Sequence, residues 1–379
     1  MSLKIGSVLV IVTILSPVCH AVALNPFTWG KNEADDTIIM AHVIFRHGNR
    51  TPQTSELYPL DPYLNYTYFP FGNGQLTNAG KKREYSIGKA LRQRYSKKLL
   101  GNVYYPNLVE ASSTDYNRTK ASLLLVVASL FAPEGIETWN HFLNWQPVPY
   151  NYRPTNRDEV LIGINCPKYV QLYEEHNQKP KLQADFQQHK DTFEYISKNT
   201  GLNVTSFYEV YNLYFGISTE EEWGHKLPVW TKIVWPKTII DLAIQEYFVQ
   251  TGTTELIKLA EGYHLKKILE DTRRKIENIN ETHGRKLYLY SAHENNLAEM
   301  LILLGVFDAH IPTYGSYLIF EVHKVNEEYG FKIYYQNYLS KDIQLLRLPA
   351  CEEFCPIDKF TNILQEYIPS DKDSCYGEL

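Results

Sequence analysis

The stretch Ile38-Ile39-Met40-Ala41-His42-Val43-Ile44-Phe45 runs without a break into Arg46-His47-Gly48-Asn49-Arg50. Its first part is almost entirely apolar, and its second part is polar and charged. A short apolar run that stops abruptly at a glycine-containing segment indicates a buried β-strand followed by a loop. The sequence therefore predicts a buried strand that carries two arginines and a histidine at its end.

Strand-like and helix-like segments alternate along the chain. Short apolar runs predict strands at 38–45, 108–111, 286–291, 317–323 and 331–338, the last two forming a hairpin around 327–330. Apolar residues at helical spacing predict helices at 78–100, 116–131, 236–250, 265–278 and 293–304. This alternation predicts an α/β fold, a layered sheet with helices on both faces.

The middle of the chain departs from that alternation. Between 151 and 239, prolines and aromatic residues mix with short helical stretches, and the two-residue period of strands is missing. We interpret 151–239 as an inserted, mostly helical lobe. Residues 24–150 and 240–379 would then form the α/β domain.

Polar clusters follow three of the predicted strands. They are Arg46-His47, Ser112-Ser113-Thr114-Asp115 and His293-Glu294. Functional residues of layered α/β sheets lie in the loops beyond the carboxyl ends of the strands. We therefore expect the three clusters to converge on one site.

The first cluster has the chemistry of a phosphate site. Guanidinium groups bind phosphoryl oxygens through paired, charge-assisted hydrogen bonds, and Arg46 and Arg50 are close enough in sequence to bind one phosphate. His47 lies between them and could attack phosphorus through a ring nitrogen. Gly48 would allow a close approach of the backbone. No zinc site is expected, because no histidine lies at ligand spacing from the cysteines.

The amino-terminal residues and four Asn-x-Thr sequons indicate a secreted protein. Residues 1–23 combine Lys4, a short apolar run and a small-residue end, which is typical of a cleaved signal peptide; a membrane anchor is the alternative. Glycosylation is predicted at Asn65, Asn203 and Asn280, and less strongly at Asn117, which starts a helix near the proposed site. The formal net charge of −5 argues against a nucleic-acid partner.

Four cysteines remain after removal of the signal peptide, and an even number in a secreted chain predicts two disulfides. Three pairings are open. A local bond between Cys351 and Cys355 is the simplest, and it would leave Cys166 to pair with Cys375.

Several of these motifs together resemble the histidine acid phosphatases, a branch of the phosphoglycerate-mutase-like superfamily. The resemblance rests on 46–52, on Gly74-Gln75-Leu76-Thr77, on Ser113-Thr114-Asp115 with Arg118-Thr119, and on Ser291-Ala292-His293. It extends over the whole mature chain, and 139–147 and the surroundings of Cys351 resemble insect venom acid phosphatases. It implies the phosphoglycerate-mutase-like fold and also supports the pairing of Cys166 with Cys375.

The resemblance also implies site roles. His47 would be the nucleophile and would carry a phosphohistidine, while Arg46, Arg50 and His293 would bind the phosphoryl group. Glu294 would be the proton donor. No metal and no cofactor are implied, and the expected substrates are small phosphate monoesters or phosphorylated peptides. Dimers occur in the family, so a homodimer is also an expectation.

Two positions depart from the family pattern. Glu294 stands where the well-studied vertebrate members have Asp, and Ser112 stands where the family usually has Arg. We therefore expect one phosphate-binding cation to be missing unless Lys120 or an arginine of the lobe replaces it. The leading hypothesis is a secreted acid phosphatase, with the lysosomal lumen as the alternative location. A catalytically weakened binding or signalling protein is the second hypothesis, and phosphoryl transfer between positions of a sugar is the third.

Overall fold

The apolar run at 38–45 forms a buried strand, β1 (Ile38–Arg46), in a computed structural model that describes residues 35–279, 284–340, 342–370 and 373–376. The predicted signal peptide at 1–23 and the sequon at Asn280 lie outside the described residues. Alternate residues of β1 enter different cores. Ala41, Val43 and Phe45 lie on one face of the sheet, and Met40 and Ile44 lie on the other.

β1 belongs to a mixed sheet whose described part contains eight strands. The other strands are β2 (Val109–Ser113), β3 (Asn151–Tyr152), β4 (Leu287–Ala292), β5 (Tyr317–Val325), β6 (Glu328–Gln336), β7 (Gln344–Leu346) and β8 (Cys355–Pro356). Their order is β3-β2-β4-β1-β5-β6-β7, and β8 also pairs with β6. The first four of these neighbours are parallel, and β5 to β8 pair antiparallel.

Helices cover both faces of this sheet, which confirms the predicted fold class. On one face lie α1 (Asn78–Tyr95) and α2 (Asn117–Leu130), and on the other lie α10 (Tyr263–Ile276), α11 (Glu294–Leu303) and α12 (Ile357–Leu364). The remaining described α-helices are α3 (Pro167–Asn177), α4 (Pro180–Gln188), α5 (Lys190–Thr200), α6 (Phe207–Trp223), α7 (Thr231–Val234), α8 (Lys237–Gln250) and α9 (Thr254–Ile257).

Helices α3 to α7 occupy most of the segment interpreted as a lobe. Phe186, Phe193 and Phe207 pack in a core to which α8 contributes Ile239 and Leu242. The short strand β3 pairs with β2, so the sheet includes the first two residues of the range 151–239. The division into two domains stays a prediction.

The hairpin between β5 and β6 differs from the prediction in its turn. We expected the turn around 327–330, but β6 already begins at Glu328. The turn consists of Asn326 and Glu327, whose φ angles are 49° and 66°. A two-residue hairpin with a left-handed backbone at both positions matches the twist of the strands, and Asn tolerates that conformation well.

The predicted disulfides are present. Cys351 is bonded to Cys355, and Cys166 is bonded to Cys375, 209 residues further along the chain. The second bond fastens the carboxyl-terminal segment to the start of α3. The sequon residues Asn65, Asn117 and Asn203 are all exposed. No helix of the described residues is long and apolar enough to cross a membrane.

Candidate active site

Three parallel strands bring the polar clusters to one edge of the sheet. β2, β4 and β1 are neighbours in the sheet and run in the same direction. Arg46 lies opposite Ala292, and Ser113 lies opposite Ser291. The residues that follow these strands therefore meet at the carboxyl edge, which is the usual place for a site in an α/β sheet.

The loop after β1 packs tightly against the start of α1. The backbone N–H of Thr77 donates to the carbonyl of Asn49 at 2.9 Å. A Cβ atom on Gly48 would lie 2.6 Å from the carbonyl oxygen of Gly80. Only glycine permits so close an approach of two backbones, so Gly48 and Gly80 fix the shape of the loop.

His47 presents a neutral ring nitrogen to the site. Its Nδ1 lies 2.9 Å from the carbonyl oxygen of Gly48, which can only accept, so the ring proton belongs on Nδ1. Nε2 is then an acceptor, and Arg118 Nε donates to it at 3.1 Å. Burial, followed by the charges of Arg118 and Arg46, lowers the pKa of His47 well below its usual value. The imidazole therefore keeps a lone pair on Nε2.

Arg46 and Arg50 are buried, and each lies beside a carboxylate. Arg50 forms a bidentate ion pair with Glu56, with N–O distances of 2.5 and 2.7 Å. Arg46 Nε lies 3.5 Å from Glu294 Oε2, and its guanidinium stacks on the ring of Tyr314 at 3.9 Å. Arg50 lines the cavity in front of His47, and Arg46 lies beside Glu294, which lines the same cavity.

Arg118 is the site residue that the sequence reasoning missed. It is 7% exposed, lies in the first turn of α2, and donates to His47 Nε2 and to Gln53 Oε1, the latter at 3.0 Å. Burial and the charge of Arg50 lower its pKa to about 10, so it stays protonated at acidic and neutral pH. The expectation of a missing third cation is therefore wrong. The sequence signal that could have identified Arg118 is its position in the segment 113–119, which begins at the last residue of β2.

Ser112 and Lys120 lie away from His47. Ser112 lines a separate cavity of about 190 Å³, together with Glu110 and Asp158. Lys120 forms an ion pair with Asp115 and stacks on the ring of Tyr152 at 3.6 Å. Neither position therefore decides whether the site has a third cation.

His293 faces His47 across the site, with 5.5 Å between the ring centroids. Its Nε2 pairs with the hydroxyl of Thr114 at 3.0 Å, and that hydroxyl lies 2.8 Å from Thr119 Oγ1. Burial and the nearby arginines, Arg118 first, lower the pKa of His293 well below its usual value. His293 is therefore also neutral, and the start of α2 fixes its orientation.

Glu294 is the first residue of α11 and is 7% exposed. Its Oε1 accepts a hydrogen bond from the hydroxyl of Tyr211 at 2.6 Å, and Oε2 faces Arg46. Tyr211 belongs to α6, so the lobe contributes a contact to this carboxylate. Sequence reasoning did not identify Tyr211, because nothing in the sequence indicates which residue of the lobe lies near α11.

A cavity of about 160 Å³ opens in front of these groups. Its walls carry charged, aromatic, aliphatic and amide side chains: His47, Arg50, Gln53, Glu56, Tyr116, Arg118, Leu161, Ile162, Ile164, Asn165, Tyr211, Asn212, Phe215, His293, Glu294 and Asn295. The cationic side chains lie at one end, around His47. Among the residues that the structure describes, no group of three or more His, Cys, Asp or Glu side chains could hold a metal ion.

Known proteins confirm the resemblance drawn from the sequence. The family model of the histidine phosphatase superfamily (branch 2) matches residues 37–336. A venom acid phosphatase of Apis mellifera is 34% identical over 334 residues, 88% of this chain and 86% of the relative. Human lysosomal acid phosphatase is 31% identical over 336 residues, 87% of this chain and 78% of the relative. A Hafnia alvei phytase structure has the same fold, with a TM-score of 0.64 and 13% identity over 89% of this chain and 98% of the phytase. The chain belongs to branch 2 of the histidine phosphatase superfamily.

Proposed function

We propose that this phosphatase hydrolyses phosphate monoesters in two steps, with His47 as the nucleophile. The observation that carries the proposal is the ring of His47, which is neutral, has its proton on Nδ1 and turns Nε2 towards Arg118 and the cavity. A neutral imidazole nitrogen among cations can attack an anionic phosphoryl group, because the cations offset the repulsion between lone pair and anion.

The cations around His47 would bind the phosphoryl oxygens. Arg50 and Arg118 line the cavity, and the guanidinium of Arg46 lies beside Glu294 and stacks on the ring of Tyr314. Arginine forks bind phosphoryl oxygens in pairs, and here they are held in place before substrate arrives. His293, 5.5 Å from His47 between ring centroids, would turn the Nε2 proton that it gives to Thr114 towards the same group.

Glu294 would act first as an acid and then as a base. As Nε2 of His47 forms its bond to phosphorus, the ester P–O bond breaks and the leaving oxygen takes the proton of Glu294. Water then attacks the phosphohistidine, gives its proton to Glu294 and releases phosphate as the P–N bond breaks. The first step needs the protonated carboxyl, which favours acidic pH.

A secreted location fits this chemistry and the covalent features of the chain. The pattern at 1–23 predicts a signal peptide, the two disulfides suit an oxidising compartment, and Asn65, Asn117 and Asn203 are accessible to glycosylation. The names of two relatives, a venom and a lysosomal acid phosphatase, support an extracellular or lumenal place.

Turnover of p-nitrophenyl phosphate by the wild type and by His47→Ala, measured from pH 3 to pH 8, tests the proposal. We expect hydrolysis by the wild type at acidic pH and a loss of at least about a thousandfold in His47→Ala. His141→Ala, which changes an exposed histidine, is the matched control and should keep full activity. Comparable turnover in His47→Ala would contradict the proposal. A wild type that hydrolyses nothing, yet is stabilised against heat by phosphate, would favour the binding-protein hypothesis.

A further inference from the structure

The hydrogen bond between Tyr211 and Glu294 joins the helical lobe to the carboxylate proposed as proton donor. The hydroxyl of Tyr211 lies 2.6 Å from Glu294 Oε1, and the side chain is 9% exposed at the cavity wall. Its ring packs edge-on against Phe215 and Tyr247, with centroid distances of 4.9 and 5.6 Å. These two contacts fix the orientation of the ring that carries the hydroxyl.

A glutamate at position 294 depends more than an aspartate would on a neighbour that holds its carboxyl group in place. Glutamate has one more rotatable side-chain bond than aspartate, so its carboxyl can occupy more positions unless its neighbours restrict it. A proton donor displaced by about 1 Å can lose two orders of magnitude in rate. In this chain, Tyr211 contacts one carboxylate oxygen, and Arg46 Nε lies 3.5 Å from the other.

We infer that Tyr211 is a positioning residue that holds Oε1 of Glu294, so that Oε2 is the oxygen that delivers the proton to the leaving group. The inference rests on the proposed function. Oε1 accepts from the tyrosine in both protonation states of the carboxyl, so the exchangeable proton occupies Oε2, on the side of Arg46 and the phosphate site. The lobe thereby takes part in the protonation step without touching the reacting atoms.

Tyr211 acts only as a donor in this arrangement. Burial, followed by the charge of Glu294, raises the pKa of the tyrosine hydroxyl well above its usual value. In the first step the proton moves from Oε2 of Glu294 to the ester oxygen. In the second step a proton of the attacking water returns to Oε2. The tyrosine keeps its own proton throughout.

Tyr211→Phe removes the hydroxyl and keeps the ring, and Tyr247→Phe is its matched control. Tyr247 is a buried neighbour whose hydroxyl has no hydrogen-bond partner among the described residues. With p-nitrophenyl phosphate, we expect Tyr211→Phe to lower kcat about tenfold and to change KM less than about twofold. Tyr247→Phe should change neither quantity.

A double-mutant cycle with Glu294→Asp separates positioning from simple support of the fold. The shorter side chain withdraws from the tyrosine, so Tyr211→Phe should cost less than about twofold in kcat in the Glu294→Asp background. Equal losses of kcat in both backgrounds, or a wild-type kcat in Tyr211→Phe, would overturn the inference. If Tyr211→Phe is unstable at room temperature, kcat of the four proteins of the cycle can be measured at low temperature, and the comparison of the two backgrounds still tests the inference. The two proposals can fail separately. If the wild type is active, His47→Ala is inactive and Tyr211→Phe is unaffected, the positioning role is refuted and the proposed function stands.

Discussion

Arg118 differs from the other two arginines of the site in its partners. Arg46 and Arg50 lie beside carboxylates, whereas Arg118 donates to two neutral groups, His47 Nε2 and Gln53 Oε1. Its charge is therefore the least compensated at the cavity. An incoming phosphoryl group would take over its hydrogen bonds and release Nε2 of His47 for attack.

Replacing Arg118 by methionine should lower kcat/KM for p-nitrophenyl phosphate by about a hundredfold to a thousandfold, because a charge-assisted contact to the transition state is lost. Lys120→Met, two residues along α2, removes a charge that pairs with Asp115 and should change kcat/KM less than about twofold. Steady-state kinetics of both variants checks this. Equal effects of the two substitutions would contradict a specific role for Arg118.

At the residue scale, the sequence predicted one half of the site better than the other. Arg46, His47 and Arg50 follow one another on a single loop, so their proximity is set by the chain itself. Arg118 and Tyr211 reach the site from helices α2 and α6, and their proximity depends on how these helices pack. No local pattern records that packing. The same reasoning explains why the sequence did not show that Arg118, and not position 112, places a third cation beside His47.

Strand β2 places the side chain of Ser112 in a cavity other than the one in front of His47. Side chains alternate between the faces of a strand, so Ser112 and Glu110 share one face, and Ser113 points to the other. Ser112 and Glu110 line the separate cavity of about 190 Å³, which Asp158 also lines. An arginine at position 112 would have room there and carboxylates beside it.

Ser112→Arg should therefore leave catalysis unchanged. We expect kcat/KM for p-nitrophenyl phosphate within about twofold of the wild type, and a Tm close to that of the wild type, since Lys267 and Arg153 line the same cavity and offset the attraction of its carboxylates for the new guanidinium. Kinetics and thermal unfolding of the variant give both numbers. A tenfold or larger gain in kcat/KM would instead show that position 112 completes the phosphate site.

Regular elements were predicted well wherever their apolar pattern was strong. β1, α2 and α8 lie within two residues of the predicted ranges, because a nearly continuous apolar run marks the strand and the helical spacing of apolar residues marks the two helices. The two-residue strand β3 has exposed side chains and gives no such pattern. Its position at the sheet edge depends on pairing with β2, which only the tertiary structure provides.

For the molecule as a whole, buried carboxyl groups favour acidic conditions. Five glutamates that are at most 1% exposed have pKa values raised mainly by burial: Glu84, Glu220, Glu246, Glu261 and Glu299. The pKa rises to about 8 for Glu246 and to about 9 for Glu220. Such groups bind more protons in the folded state than in the unfolded state. Their stabilising contribution is fully present below about pH 4.5 and is lost as pH rises through the folded-state pKa.

Buried histidines have the opposite effect on stability, which they lower at acidic pH. Burial lowers the pKa values of four of them, to about 3 for His264: His42, His47, His264 and His293. The unfolded state then binds more protons below about pH 6.5, so acid destabilises the fold. The buried glutamates and the buried histidines together predict maximal stability on the acidic side of neutrality. We expect Tm to fall above about pH 7.

Glu246→Gln tests this balance at one position. Oε1 of Glu246 accepts hydrogen bonds from Tyr173 and Gln250, and an amide oxygen can replace it. The variant should be close to the wild type in stability at pH 5 and more stable by roughly 2–4 kcal/mol at pH 8, because the unfolded glutamate is ionised there while burial, which raises the folded-state pKa of Glu246 to about 8, opposes its ionisation in the fold. Denaturant unfolding at both pH values measures this, and the exposed Glu270→Gln is the control. A Glu246→Gln variant that is no more stable than the wild type at pH 8 would contradict the account.

The central claim is that His47 carries the phosphoryl group. Acid conditions break a phosphohistidine and alkaline conditions preserve it, so enzyme mixed briefly with ³²P-labelled p-nitrophenyl phosphate can be quenched in alkali and digested. We predict label on the peptide that contains His47, in an amount approaching one phosphate per chain, and no label in His47→Ala. Steady turnover by the wild type with no label on that peptide, or with label on a different residue, would contradict the account.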